Sequence, residues 1–241
     1  MSLAPSDREH ALLGLPARDL ATSVALVVAT TALFVLMANH GSRAVIQRWD
    51  DAFLRRMLAI RSGPLTSVAK VFNVLGLIYV TLPVRLAVAG FLAVKRRWWH
   101  LAAFVSAVVV SEVAIGTLKA LYDRPRPHGS LVTTSGGSFP SGHAVAASVT
   151  VVGMVIALLP AGPRRYVWGV AAALFSLLMA LSRAYLAAHW LSDAVAGTLL
   201  GTSAALVTAV VVHFLRERHH RNLPFAPGVR SEAEGGERDV G

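Results

Sequence analysis

Apolar segments of about bilayer-spanning length recur along most of the chain, and they restrict its possible folds more than any other feature. A helix needs about 20 mostly apolar residues to cross a membrane. Six such segments are present, at residues 22–38, 66–94, 101–121, 144–159, 167–186 and 190–215. The composition agrees, since 55% of the 241 residues are hydrophobic and only 15% are charged. We therefore predict an all-α fold, an integral membrane bundle of six transmembrane helices.

Polar segments flank this apolar region at both ends. Residues 1–20 are predicted to form a polar N-terminal segment, and residues 21–215 the six-helix domain. Residues 216–241 are polar and rich in Gly and Glu, which predicts a disordered cytoplasmic tail.

Residues 39–64 differ in kind from the six spans. Ile46, Trp49 and Phe53 recur every three or four positions, and Arg and Asp side chains fall between them. This period predicts an interfacial helix between the first and second spans, with one face in lipid. A helix packed over the bundle as a lid would have the same pattern.

The basic excess is best explained by membrane topology. The formal net charge is +10 at pH 7, which in a soluble protein would suggest nucleic acid. No platform of alternating aromatic and basic residues is present, so we expect no nucleic-acid partner. The chain has no cysteine, which excludes disulfides and thiolate metal sites.

The even number of spans places both termini on one side. That side also receives the basic clusters at residues 95–97 and 164–165, which indicates a cytoplasmic location. Arginines within residues 43–61 lie on the opposite side, and we attribute them to the interfacial segment. We predict a multi-pass protein of the cell (inner) membrane, with cytoplasmic termini and an active site that faces the outside.

Residues suited to phosphate chemistry all fall at the outer ends of the predicted spans. Charges at membrane depth cost about 2.5–3.5 kcal/mol each on insertion scales, so they are rarely kept without a function. Basic side chains, histidines and one carboxylate at a single end of a bundle indicate a site for a phosphorylated substrate. The residues are Lys119, Arg124, Arg126, Ser141, Gly142, His143, Arg183, His189 and Asp193.

The order and spacing of these residues carry a family resemblance. Six residues separate Lys119 from Arg126-Pro127, and the run Pro140-Ser141-Gly142-His143 follows; Ser182-Arg183 then precedes His189 and Asp193. This pattern resembles the three-part signature of the type 2 phosphatidic acid phosphatase superfamily. The six-span layout resembles the integral-membrane branch of that superfamily.

The resemblance implies the catalytic roles. His189 resembles the nucleophile that attacks phosphorus and forms a phosphohistidine. Asp193 lies one helical turn later, so its carboxylate is expected to bond one ring nitrogen of His189 and leave the other free. His143 resembles the general acid for the leaving oxygen and then the base that activates water.

The same resemblance implies a phosphate-binding set. Basic side chains would hold the non-bridging oxygens and offset the charge that develops in the transition state. Backbone N–H groups at the start of the fourth span would add an anion site, and glycine would let the backbone approach closely. The residues are Lys119, Arg126, Arg183, Ser141 and Gly142.

Two further expectations concern the role of Arg124 and the need for a metal ion. Arg124 stands in the Arg-Pro-Arg-Pro run and is predicted to support the site or to contact the headgroup. No cluster of hard oxygen ligands is visible, so chemistry and resemblance both predict phosphoryl transfer without a metal or cofactor.

One prediction does not depend on the resemblance. Arg85 in the second span and Glu112 in the third are expected at similar depth, because each residue adds about 1.5 Å along a helix. Either charge alone would be costly there, so we predict that they pair. Glu112 is seven residues before Lys119, and the pair could therefore brace that lysine.

We predict a membrane enzyme that removes the terminal phosphate from a lipid phosphate. Undecaprenyl diphosphate, phosphatidylglycerol phosphate and phosphatidic acid are candidate substrates, and membrane lipids would surround the protein. A phosphotransferase of the same superfamily and a non-enzymatic binder or transporter of anionic lipids remain alternatives. Vanadate-dependent haloperoxidases resemble the same site but are soluble. The sequence does not indicate an oligomeric state.

Overall fold

The structure, a computed structural model, describes residues 11–13 and 16–221, and every regular element in this part of the chain is a helix. We number the helices α1 to α8 in chain order. They are α1 (Pro16–Ala38), α2 (His40–Ala59), α3 (Gly63–Leu75), α4 (Ile78–Val94), α5 (Trp98–Tyr122), α6 (Gly142–Leu158), α7 (Pro163–Tyr185) and α8 (Leu191–Arg221).

The ends of the domain differ from the predicted boundaries. Helix α1 begins at Pro16, within the segment predicted to be a polar extension. Helix α8 continues through residues 216–221, which were expected to belong to the disordered tail. The rest of the predicted tail, residues 222–241, and residues 1–10 and 14–15 lie outside the described residues.

The helices define a multi-pass membrane protein. Four of them, α1, α5, α7 and α8, are long and apolar enough to cross a bilayer. Helices α3 and α4 qualify only as a pair, bent by 50°, so the segment of the predicted second span is a broken span or a re-entrant loop. The fourth predicted span, α6, has only 17 residues. The described residues therefore provide four spans, or five with the bent pair, and the predicted count of six is not established.

Helix α6 lies at the centre of the bundle, where α5, α7 and α8 pack against it. Its first turns are buried almost completely, so protein surrounds this short helix. Two glycines of α8 allow the approach. A Cβ at Gly201 would lie 2.1 Å from Ser148 Oγ, and one at Gly197 would lie 2.5 Å from the carbonyl oxygen of Ser141. Small residues of this kind let membrane helices pack backbone to backbone.

Helix α2 accounts for most of the segment that was predicted to be interfacial. The Asn39 side chain caps it by accepting hydrogen bonds from the backbone N–H groups of Gly41 and Ser42. Trp49 is 73% exposed, as a lipid-facing residue would be, but the buried residue of this helix is Asp50, at 2%. The inward contact of α2 is therefore polar, and it leads directly to the candidate site.

Candidate active site

The predicted site residues lie at one end of the bundle, where α5 and α7 end and α6 and α8 begin. Lys119 is in the last turn of α5, and Arg183 is in the last turn of α7. Ser141 is the N-cap of α6, and Asp193 is in the first turn of α8. A hydrogen bond from Ser141 N to the carbonyl oxygen of Asp193 (3.0 Å) joins the two helix starts.

The hydrogen bonds of His189 define its tautomer. Its Nε2 atom lies 3.1 Å from Arg126 Nη1, which can only donate, so Nε2 must accept. The proton is therefore on Nδ1, which donates to the carbonyl oxygen of Ser138 at 2.7 Å. Burial of His189 (3% exposed) lowers its pKa to about 4, so the ring is neutral near pH 7. A neutral ring with an unprotonated Nε2 is the form that can act as a nucleophile once Nε2 exchanges its hydrogen bond with Arg126 for the substrate.

Asp193 does not make the hydrogen bond to His189 that its spacing predicted. Its Oδ2 atom is 3.7 Å from His189 Nδ1 and accepts instead from the backbone N–H of Trp190 at 2.9 Å. Its Oδ1 atom accepts from Arg124 Nη1 at 2.6 Å. The carbonyl oxygen of Ser138 holds the tautomer, while Asp193 lies beside the ring as a buried negative charge.

Arg126 and Lys119 bind the loop that precedes α6. Arg126 donates to the carbonyl oxygens of Ser135, Gly136, Gly137 and Ala188, and Lys119 Nζ donates to that of Gly137 at 2.6 Å. Both cations are only partly buried. Burial lowers the pKa of the Arg126 guanidinium, with the carboxylate of Asp193 acting in the opposite direction. This places Arg126 next to Nε2 of His189, and Lys119 shares the carbonyl oxygen of Gly137 with Arg126.

Three predicted site residues present polar atoms that have no protein partner. Ser141 Oγ, His143 Nε2 and Arg183 Nε are buried and make no hydrogen bond within the described part of the chain. Buried polar atoms are nearly always paired, because an unpaired one costs about 1–3 kcal/mol. Burial lowers the pKa of His143 to about 3, and the nearby Arg183, His189 and Arg126 act in the same direction, so these groups share one region. The arrangement suits a polar, anionic ligand.

Gly142 has open space beside its backbone. A Cβ at this position would meet no atom of the described residues within 4 Å, apart from its own helix backbone and chain neighbours. Protein packing therefore does not require glycine here. The expectation that glycine admits a close ligand is compatible with this space, and it stays a prediction.

Arg124 is not a headgroup contact. Its side chain is 2% exposed, and Nη1 donates to Asp193 Oδ1 and to Ser192 Oγ at 2.7 Å. Its Nη2 atom donates to Asp50 Oδ2 at 2.7 Å and to Gln47 Oε1 at 2.5 Å. All of these acceptors belong to α2 or α8, so Arg124 links the two helices behind His189.

Sequence reasoning missed two sets of residues in the site. The first is Asp50 with Gln47, whose only sequence signal is a pair of acids in a helix that carries four arginines. The second lies at the break between α3 and α4. Asn73 accepts a hydrogen bond from Arg183 Nη1, and a Cβ at Gly76 would lie 2.5 Å from Cδ2 of His143. An apolar run gives no indication that such a break faces a site.

Arg85 and Glu112 lie in contact, as their matched depth predicted. Arg85 Nη1 is 2.6 Å from Glu112 Oε1. The other Arg85 donors reach α6, and the suggested bracing of Lys119 stays a prediction. Nε donates to Thr150 Oγ1 at 2.9 Å and Nη2 to the carbonyl oxygen of Ala146 at 3.4 Å. Arg85 thus ties α4 and α5 to the helix that carries His143.

No group of three or more His, Cys, Asp or Glu side chains is placed to hold a metal ion in the described ranges. The site instead consists of cationic side chains around two histidines. Such donors suit an anion directly.

Comparison with known proteins identifies the class. The PAP2 superfamily model matches residues 97–217, half of the chain, so the chain belongs to this superfamily and is a PAP2-type phosphatase by class. No curated protein gives a significant match.

Two solved structures share the fold. The first is a transmembrane PAP2 type phosphatidylglycerolphosphate phosphatase from Bacillus subtilis, with a TM-score of 0.67 and 23% identity over 81% of this chain and 96% of that one. The second is Aquifex aeolicus LpxE, with a TM-score of 0.54 and 22% identity over 64% of this chain and 91% of that one. Both support a membrane PAP2 fold.

Proposed function

We propose that this protein removes the terminal phosphate from a lipid phosphate or diphosphate by way of a phosphohistidine on His189. The observation that supports this proposal most strongly is the geometry of His189. Its imidazole is buried and neutral, Nδ1–H donates to the carbonyl oxygen of Ser138, and Nε2 lies beside Arg126. The unpaired atoms of Ser141, His143 and Arg183 support a phosphoryl group at the same place.

In the first step Nε2 of His189 attacks phosphorus, and the bond from phosphorus to the lipid oxygen breaks. Burial lowers the pKa of His143, and the negative charge of the bound phosphate raises it again, so His143 enters this step protonated. It donates a proton to that oxygen, so the lipid leaves as an alcohol, or as a monophosphate if the substrate is a diphosphate. Lys119, Arg126 and Arg183 offset the charge on the equatorial oxygens. Because the reaction is mainly positioning and charge stabilisation, cationic side chains can supply what a metal supplies elsewhere.

In the second step a water molecule attacks the phosphohistidine. His143, now neutral, accepts a proton from that water, and the bond from phosphorus to Nε2 breaks. Inorganic phosphate leaves, and His189 returns to its starting tautomer.

The substrate is expected to be an amphiphile in the outer leaflet of the cell membrane. The positive-inside argument supports cytoplasmic termini and an outward-facing site. The Bacillus subtilis structure is of a phosphatidylglycerolphosphate phosphatase, which makes phosphatidylglycerol phosphate a leading candidate. Undecaprenyl diphosphate and phosphatidic acid carry the same terminal group and belong in the same test.

The test is phosphate release by detergent-purified protein in excess EDTA, with these three lipids presented in mixed micelles. We expect release that survives chelation and ranks the lipids. Phosphate that appears on an added lipid alcohol instead of in solution would indicate a phosphotransferase. Binding of all three lipids without any turnover would overturn the proposal in favour of a binding protein.

Gly76 offers a test of the role of His143. We expect Gly76→Ala to lower kcat by roughly 10- to 100-fold, because an added methyl group would push the His143 ring out of position. Gly90→Ala on α4 is the matched control, since a Cβ there meets nothing within 4 Å in the part of the chain that the structure describes. Phosphate release and thermal unfolding of both variants are the measurements. Equal kcat values would show that the ring has room to move without loss.

A further inference from the structure

Asp50 lies outside the residues matched by the superfamily model, yet it is one of the most buried acids near His189. It is 2% exposed, on a helix whose other residues are at most partly buried. Its Oδ1 atom accepts from the backbone N–H of Ser192 at 2.9 Å, and its Oδ2 atom from Ser192 Oγ at 2.5 Å. The carboxylate therefore holds the first turn of α8, which directly follows His189.

The second contact of Asp50 makes a chain of charges. Arg124 bridges it to Asp193, at 2.7 Å on one side and 2.6 Å on the other, and all three side chains are at most 2% exposed. Two carboxylates and one guanidinium leave this cluster with a net charge of −1. Without Asp50, the positive charge of Arg124 would pair only with Asp193 and would cancel the negative charge of that carboxylate.

This net charge matters for the reaction proposed above. When Nε2 of His189 forms its bond to phosphorus, the imidazole ring acquires positive charge while Nδ1 keeps its proton. Asp193 Oδ2, 3.7 Å from Nδ1, is placed to stabilise that charge. A preorganised charge of this kind is effective in a low-dielectric interior. The guanidinium of Arg124, bound directly to Asp193, would weaken the effect of that carboxylate on His189. Sharing Arg124 with Asp50 reduces this weakening.

We propose that Asp50 is a positioning residue of the catalytic centre, which shares Arg124 with Asp193 and so keeps Asp193 a net negative neighbour of His189. Helix α2 is accordingly part of the catalytic unit. This inference rests on the proposed phosphohistidine mechanism.

The variant Asp50→Asn keeps the shape of the side chain and removes its charge. We expect kcat and kcat/KM to fall together by roughly 10- to 100-fold, the usual effect of losing a group that orients a functional ligand. Equal falls indicate a loss confined to the transition state. Phosphohistidine formation in a rapid-quench single turnover should slow by the same factor. The substrate is the lipid of the three that the wild-type protein hydrolyses fastest.

Asp51→Asn is the matched control. It removes a charge one residue along α2. Among the residues that the structure describes, this carboxylate accepts only from Gln47 Nε2 (2.9 Å) and does not touch Arg124. We expect its kcat to stay close to that of the wild type. If Asp50→Asn and Asp51→Asn behave alike, the proposed role of Asp50 is wrong.

A rescue variant separates charge from structure. In Gln47→Glu/Asp50→Asn/Asp51→Asn a carboxylate replaces the Gln47 amide that already accepts from Arg124. The amide introduced at position 51 can donate to this new carboxylate, so the contact between the two side chains is kept with its direction reversed. We expect this variant to regain most of the lost kcat. It also carries the test if Asp50→Asn does not fold.

The outcomes distinguish this inference from the proposed function. The inference would be overturned, and the proposed phosphatase function left intact, by a folded triple variant whose kcat is as low as that of Asp50→Asn. If Asp50→Asn is unfolded, the corresponding result is a folded triple variant with kcat below about one hundredth of wild type. Loss of Asp50 that raises KM with kcat unchanged would also overturn it. A wild-type protein that hydrolyses none of the three lipids removes the proposed function, and the role of Asp50 with it.

Discussion

Replacing His189 with alanine is expected to lower kcat by at least about 10⁴-fold, because the covalent route is lost with its nucleophile. The side chain is buried, but alanine leaves the Ser138 carbonyl near the polar groups of the site, so the helices should still assemble. Phosphate release and trapping of the phosphoenzyme measure the effect. The wild type should give an acid-labile, alkali-stable phosphoprotein that the variant lacks.

His128→Ala is the matched control for this experiment. His128 lies on the same connection between α5 and α6 as Arg126, but it is exposed and forms no part of the site. It should retain full activity and full phosphoenzyme formation. A His189→Ala protein that is folded and keeps more than about one hundredth of wild-type kcat would exclude His189 as the nucleophile.

Replacing His143 with alanine is expected to slow lipid phosphate hydrolysis by roughly 10²- to 10⁴-fold, the typical contribution of general acid–base catalysis. The first step should depend on the leaving group. An alkyl oxygen needs the proton from His143, whereas p-nitrophenolate leaves without one. With p-nitrophenyl phosphate we therefore expect the first step to be nearly normal and the second, which needs a base for water, to be slow.

The observable result is a burst. His143→Ala should release about one p-nitrophenol per protein molecule rapidly and then continue slowly, while phosphohistidine accumulates on His189. The wild type should show a smaller burst and little accumulated intermediate. Equal slowing of both steps for both substrates would show that His143 positions phosphate instead of transferring protons.

The helices of the bundle show how much of the fold can be predicted from the local sequence pattern. Apolar length predicted the helices correctly in type and approximate place, because a spanning helix meets all its backbone hydrogen bonds within one segment. It did not predict the 50° break between α3 and α4, since both halves are apolar and Gly76 is one glycine among 19. At that break Gly76 packs against His143, a contact between distant parts of the chain that no local pattern contains.

In the site, too, the sequence predicted some contacts correctly and missed others. The spacing of residues from Lys119 to Asp193 was enough to assemble the two histidines and their cations at one end of the bundle, because antiparallel helices return to the same side. Spacing also suggested a hydrogen bond between Asp193 and His189. The structure gives that role to the Ser138 carbonyl instead, because Arg124 and the Trp190 N–H occupy the carboxylate of Asp193.

The order of residues along the chain was sufficient for the helical membrane class, the grouping of the predicted site residues at one end of the bundle, and the depth at which Arg85 meets Glu112. These follow from apolar length, chain direction and the constant rise of a helix, which are properties of one segment or of neighbouring ones. The packed helices were needed to show that Asp50 reaches Arg124 across 74 residues and that Asn73 reaches Arg183 across 110. Such contacts depend on how the side chains of distant helices pack together, and no local period encodes that packing.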